Sequence, residues 1–102
     1  DEPIGLQYLY IPPWLEIDPE ELINLQSYYE LLNRKGIQLA HASELLIART
    51  ATKREAELLN IKPGRPLLVA DRVTYDTRSV CVEYVQFIYR ADRYQYRLTL
   101  VA

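Results

Sequence analysis

The chain has little of the residues that build reactive centres, since its 102 residues include one cysteine, Cys81, and one histidine, His41. A single cysteine cannot form an internal disulfide, which indicates a reducing compartment, and we expect a cytoplasmic protein. One histidine and one cysteine are too few for a thiolate or His-rich metal site. A serine triad would have to use His41, and no nucleophile-elbow sequence accompanies it. We therefore expect Cys81 to be a small core residue and His41 to be a half-exposed strand residue.

Several larger motifs are missing as well. The chain contains no glycine-rich phosphate loop and no dinucleotide fingerprint, so we expect no cofactor. No apolar run approaches the length of a membrane span, and no charged-then-apolar leader opens the chain. The net charge of −2 argues against sequence-independent binding of nucleic acid, which needs a basic face. Length and composition indicate one ordinary globular domain.

The last third of the chain is rich in β-branched and aromatic residues. After a type II turn at Pro63–Gly64, this composition and the intervening polar turns predict an antiparallel meander of Leu67–Tyr75, Val80–Tyr89 and Tyr96–Val101. Side chains alternate along a strand, so Glu83 shares a face with apolar neighbours of the middle strand. A carboxylate in such a place is costly unless something pairs with it, which makes Glu83 the first candidate for a functional residue.

The first two thirds of the chain mix helix and strand signals. They predict strands at Ile4–Ile11 and Ile37–Ala48 and a short helix at Asp18–Leu25. They also predict two helices that begin with capping boxes: one starts at Ser27 and stops at Gly36, and the other, Lys53–Leu59, follows Thr52. The resulting order β, α, α, β, α, β, β, β predicts an α+β fold, an antiparallel sheet with flanking helices on one side.

Four polar residues are candidates for binding one small ligand: Gln7, Ser27, Glu83 and Tyr89. Glu83 and Gln7 would bind hydroxyl or amide groups, Tyr89 would stack or hydrogen-bond, and Ser27 at a helix N-terminus would hold an anionic group. The structural alternative is that Ser27 is only a cap, Gln7 and Glu83 face solvent, and Tyr89 fills core. Physical arguments favour the structural alternative for Ser27 and Gln7, and they favour a ligand role for Glu83.

The sequence resembles the UTRA domain, the effector-sensing domain of GntR-type bacterial transcription regulators of the HutC subfamily. The matching stretches are distributed over most of the chain: 26–32, 48–59, 61–68, 82–83 and 89–94. The resemblance implies a chorismate-lyase-like fold that holds a small molecule, such as a sugar phosphate or another small metabolite. It also implies a homodimer whose attached winged-helix domains bind DNA and shift when the effector binds.

The resemblance assigns roles to the same four residues. Glu83 and Tyr89 match positions that contact ligand in the family, and Ser27 matches a serine that holds a phosphate in sugar-phosphate sensors. Gln7 falls where many members have a glutamate, so one charge is removed. Residues 1–102 are accordingly interpreted as a UTRA-like domain without a winged helix and without the N-terminal segment that carries an Arg-x-Arg phosphate clamp. Asp76–Ser79 replaces a glycine-containing hairpin turn of the family.

Two other function classes stay open at this point. The first is an enzyme, because chorismate lyase shares the fold; its anion site would have to use Arg49 and Arg72. The second is a dimerisation module without a ligand, in which Gln95–Ala102 would pair with a second copy across a two-fold axis.

Overall fold

The computed structural model describes residues 4–101, so the chain start at 1–3 and the predicted pairing of Ala102 lie outside the described residues. Along the chain, the regular elements are β1 (Gly5–Tyr10), α1 (Leu25–Arg34), β2 (Leu39–Thr50), α2 (Lys53–Leu59), β3 (Pro66–Asp76) and β4 (Cys81–Arg90), with 3₁₀ turns at Pro13–Leu15 and Pro19–Glu21. The strands form one sheet in the order β1-β4-β3-β2. The predicted α+β class, an antiparallel sheet with helices, is confirmed.

The predicted meander is right for β3 and β4 and wrong for its last strand. Residues 94–101 form no strand, and Leu98 and Leu100 are 66% and 82% exposed. The reason is topological: β4 already has β3 on one edge and β1 on the other, so the hydrogen bonds that Tyr96–Val101 would need there are taken. Alternating apolar residues predicted a strand, but a strand also requires a free edge.

The two predicted helix starts before residue 30 need correction. The segment predicted as a helix from Asp18 to Leu25 is only the 3₁₀ turn Pro19–Glu21, in which the Glu20 amide donates to Asp18 Oδ1 over 3.0 Å. The next helix begins earlier than predicted, because Asn24 rather than Ser27 is its cap: Asn24 Oδ1 accepts from the Ser27 amide over 2.8 Å. Asn and Ser are both good caps, and the extended backbone of Asn24 decides between them.

The turns in the second half follow their local chemistry. Thr52 caps α2 in the predicted capping box with Glu55. Gly64 has φ +86° in a turn closed by the Arg65 amide and the Lys62 carbonyl, as a type II turn requires. Between β3 and β4, Ser79 takes a left-handed conformation, and Asp76 Oδ1 supports the turn by accepting from the Arg78 and Val80 amides. The side chain of Asp76 thus supports a turn that lacks glycine.

The described chain packs as two compact units, and each strand contributes to both. The first unit comprises 4–7, 46–70 and 87–101, and the buried side chains of its core are Ala51, Ala56, Leu59, Leu67, Val69 and Ile88. The second unit comprises 8–45 and 71–86, and its core is built by Leu15, Tyr28, Leu32 and Val82. Helix α2 therefore packs in the first unit and helix α1 in the second.

An ion pair fixes the start of α2 within the first unit. The Arg49 guanidinium donates to both carboxylate oxygens of Glu55, over 2.7 and 2.6 Å, and the Thr52 amide donates to the same carboxylate. The hydrogen bonds from Arg49 lower the pKa of Glu55 from 4.5 to about 2, although partial burial opposes that shift. The charged form of Glu55 therefore stabilises the fold.

Replacement of Glu55 by Gln should lower the free energy of unfolding at neutral pH by about 1 kcal/mol, the usual scale for such a hydrogen bond. A carboxylate whose folded pKa is depressed contributes stability above its unfolded pKa and loses it as pH falls through the folded value. The difference between wild type and Glu55→Gln should therefore shrink as pH falls from 4.5 towards 2. Urea unfolding followed by circular dichroism over this pH range measures it, with the exposed Glu57→Gln in the same helix as control. A difference that does not change with pH would contradict the assignment.

Candidate functional site

Glu83 is a fully buried carboxylate of the second unit. It lies on β4 and is completely removed from solvent. Its Oε1 accepts two hydrogen bonds of 2.7 Å, one from the hydroxyl of Tyr29 on α1 and one from that of Thr74 on β3. Its Oε2 is buried and has no hydrogen-bond partner among the described residues. One oxygen of this carboxylate is thus bonded within the fold, and the other is buried without a donor.

Tyr29 links Glu83 to a second charged pair. Burial and the hydrogen bond to Glu83 raise the pKa of Tyr29 to about 12, so its hydroxyl stays protonated and donates at neutral pH. Arg72 hydrogen-bonds to the same tyrosine and lies 3.3 Å from Glu44 Oε1. The result is a chain of polar contacts from Glu44 through Arg72 and Tyr29 to Glu83.

The neighbouring tyrosine holds α1 against the same strand. Tyr28 is completely buried, and its hydroxyl donates to the Val82 carbonyl. Burial, together with the nearby Glu83 charge, raises the pKa of Tyr28. Consecutive residues of α1 therefore reach consecutive residues of β4, one through a backbone acceptor and one through a carboxylate.

This arrangement presents a hydrogen-bond acceptor in a place without competing water. A carboxylate oxygen can accept from a hydroxyl, an amide or an ammonium group, and such charge-assisted bonds are roughly twice as strong as neutral ones.

Gln7 and Tyr89 belong to the first unit, where they line the same cavity of about 150 Å³ with Gly5 and Phe87. The Tyr89 ring stacks with Phe87 at 6.0 Å between ring centroids and with Tyr94 at 4.0 Å. A Cβ at Gly5 would lie 2.7 Å from the Tyr89 ring, so glycine is what permits this close approach. The structure thus brings Gln7 and Tyr89 together at one cavity.

Ser27 has a structural role that the sequence assigned to the wrong helix position. It is the third residue of α1, and its hydroxyl donates to the Asn24 carbonyl over 2.7 Å. The same hydroxyl accepts from the amides of Asn24 and Ile23, over 3.1 and 3.2 Å. A phosphate contact by Ser27 and a single ligand around all four residues stay predictions.

Sequence reasoning did not include the partners of Glu83 in the site. Tyr29 is one of nine tyrosines, most of which the sequence suggested to be ordinary strand residues, and it lies on a helix. Thr74 is a typical strand residue, and only its position beside Glu83 gives it a role. The adjacent tyrosines Tyr28 and Tyr29 on one helical turn were the sequence feature that could have indicated a polar contact to Glu83.

The two arginines considered for an enzyme site are both bonded to carboxylates. Arg49 pairs with Glu55, and Arg72 pairs with Glu44. Within residues 4–101, no three His, Cys, Asp or Glu side chains are grouped as a metal site would require. In the same range, none of the helices has the length and apolar character needed to cross a bilayer. Cys81 is partly buried, and His41 is exposed and stacks on Tyr75 at 5.0 Å.

If Ser27 serves α1 as described, Ser27→Ala should lower the free energy of unfolding by about 1 kcal/mol, because two amides lose their acceptor. Urea unfolding at neutral pH measures the change. The control is Ser43→Ala, which removes a hydroxyl from an exposed position of β2. Equal stability of Ser27→Ala and Ser43→Ala would show that the Ser27 hydroxyl does not stabilise the start of α1.

The sequence profile of the UTRA domain matches residues 1–95. The HTH-type transcriptional regulator Rv0792c from Mycobacterium tuberculosis is 31% identical over 105 residues, which cover 98% of this chain and 39% of that protein. This chain spans about two fifths of the length of the curated relatives it matches.

Solved structures agree with this assignment. A GntR-family transcriptional regulator from Enterococcus faecalis V583 superposes with a TM-score of 0.85 at 28% identity, over 98% of this chain and 73% of that one. The effector domain of PhnF from Mycobacterium smegmatis superposes with a TM-score of 0.85 at 25% identity, over 97% of this chain and 62% of that one. The chain belongs to the UTRA domain family, the effector-binding domain of GntR-family transcription regulators.

Proposed function

We propose that this chain is the small-molecule sensor of a bacterial regulator of the HutC subfamily, that it works as a homodimer in the cytoplasm, and that it is not an enzyme. DNA binding is assigned to a winged-helix domain outside these 102 residues. The effector is a sugar phosphate or another small metabolite that carries hydrogen-bond donors. Gln7, Ser27, Glu83 and Tyr89 are its proposed contacts.

The observation that carries the proposal is the unpartnered Oε2 of Glu83. A buried acceptor without a donor costs about 1–3 kcal/mol, and more when it is charged. An effector hydroxyl or ammonium that donates to Oε2 recovers this cost, so it gains more from this site than from an exposed carboxylate. Glu83 thereby selects for donor groups on the effector.

The same carboxylate supplies a route from binding to conformation. Glu83 Oε1 is bonded to Tyr29, and Tyr29 belongs to α1. A donor on Oε2 redistributes the charge that Tyr29 and Thr74 now share, which changes how firmly α1 is held. An effector shifts the regulator between states only by its difference in affinity for them, and Glu83 is proposed to be the source of that difference.

The role proposed for Ser27 has a physical condition. Its hydroxyl donates to the Asn24 carbonyl, so a bond from Ser27 to a phosphate requires the hydroxyl to turn away from that carbonyl. The amides at the start of α1 favour an anion nearby, which supports the exchange. Gln7 and Tyr89 are proposed to bind effector hydroxyls at their own cavity.

The test is isothermal titration of wild type and Glu83→Gln with sugar phosphates, amino acids and related metabolites. The substitution keeps the shape of the side chain but removes its charge and one acceptor. It should weaken binding of the active effector roughly tenfold or more, as expected for loss of a charge-assisted hydrogen bond. Glu30→Gln, an exposed change on α1 next to Tyr29, is the matched control.

Two outcomes would count against the sensor. One is unchanged affinity of Glu83→Gln with a folded spectrum, which would leave Glu83 a structural residue. The other is absence of saturable binding of every compound by the full-length regulator, which would favour the ligand-free dimerisation module. An enzyme is not favoured by any geometry at Arg49 or Arg72, since both are bonded to carboxylates.

The proposed homodimer is supported by the apolar residues after β4. Tyr96, Leu98, Leu100 and Val101 are exposed, and 94–101 pairs with none of the strands described for this chain. Leu100→Asp should therefore raise the dissociation constant of the dimer, because it places a charge where apolar surface is proposed to be buried. Analytical ultracentrifugation measures it, with Thr99→Asp, which places the same charge at the exposed neighbouring residue, as the control. If Leu100→Asp dimerises as well as the control, this segment is not the dimer contact.

A further inference from the structure

A second and larger cavity lies in the second unit, away from the residues proposed for the effector. Its volume is about 520 Å³, within the range of small-molecule sites. This open cavity is bordered by the end of α1, the segment that leads into β2 and the turn between β3 and β4. The polar and aromatic groups that face it come from Trp14, Lys35, Gln38, Asp76, Thr77 and Arg78.

Two of these groups are cations without a counter-ion. In the described part of the chain, neither the Lys35 ammonium nor the Arg78 guanidinium forms a side-chain hydrogen bond or an ion pair. The carboxylate of Asp76 also lines the cavity, but its Oδ1 accepts from two amides of its own turn. The cavity therefore has an excess of positive charge that the fold does not use.

The third feature is an exposed indole. Trp14 is 53% exposed, whereas the next residue, Leu15, is buried in the core of the second unit and fixes the 3₁₀ turn that carries both. An exposed indole that lines the same cavity as two cations suits a planar group that carries negative charge.

We propose that this cavity binds a small organic anion with a planar ring: the ring stacks on Trp14, and a phosphate or carboxylate is held by Lys35 and Arg78. Gln38 and Thr77 supply additional hydrogen bonds at the rim. The site shares no residue with Gln7, Ser27, Glu83 or Tyr89. It therefore gives the domain a site for a second class of ligand. A test of this site does not depend on whether the proposed effector contacts are correct.

Trp14 is the only tryptophan among the 102 residues, so the tryptophan emission of this chain comes from a side chain that lines the cavity. The probe is phenyl phosphate, which has both the ring and the anion, and the half-probes are inorganic phosphate and phenol. Phenyl phosphate should give a saturable change in emission, and each half-probe should bind at least tenfold more weakly. Saturable binding of inorganic phosphate as tight as that of phenyl phosphate would overturn the ring contact, and absence of saturable binding of phenyl phosphate would overturn the site.

Substitutions of Lys35 and Arg78 test whether these two cations bind the anionic group. Lys35→Gln and Arg78→Gln should each weaken phenyl phosphate roughly tenfold, as expected for loss of one charge-assisted hydrogen bond. Arg34→Gln, which removes a charge from the adjacent position of α1 without touching the cavity, should bind like wild type. If Arg34→Gln weakens phenyl phosphate binding as much as Lys35→Gln and Arg78→Gln do, the effect comes from net charge alone and the proposal is overturned. The wild-type comparison with half-probes decides the question if a variant does not fold.

Discussion

The carboxylate of Glu83 is taken completely out of water, and two hydroxyl groups from other elements of the second unit meet one of its oxygens. Tyr29 comes from α1 and Thr74 from β3, so one side chain of β4 joins three elements. A buried charge is tolerated only where such bonds offset its desolvation. The position of α1 in this unit therefore depends on the bonds to Glu83, as well as on the apolar contacts of Leu32.

The effector contact proposed for Glu83 uses this same residue. One oxygen of Glu83 is bonded within the fold and the other lacks a donor, so a ligand that reached the second oxygen would act directly on a group that supports α1. The cavity beside Trp14 has the opposite character, because Lys35 and Arg78 give it positive charge. The two sites proposed in this unit therefore differ in charge, with a buried carboxylate at one and two cations at the other.

The parts of the fold that could be predicted were those in which local chemistry decides. Thr52 and Glu55 mark the start of α2, Gly64 marks a type II turn, and alternation marks β3 and β4. The prediction for Ser27 was wrong by three positions, because Asn24 competes for the same cap. The prediction of a strand at Tyr96–Val101 was wrong because pairing depends on which edges of the sheet are free, and β1 takes the edge of β4.

The candidate site divides in the same way. The sequence by itself determined that Glu83 is a carboxylate among apolar residues, which already implies a partner, and that the chain resembles the UTRA domain. Only the tertiary structure decided that the partners are Tyr29 and Thr74, which are 54 and 9 residues away in the chain, and that one oxygen is left without a donor. The physical reason is that desolvation and hydrogen bonding act between atoms that are near in space, and the sequence alone does not say which atoms those are.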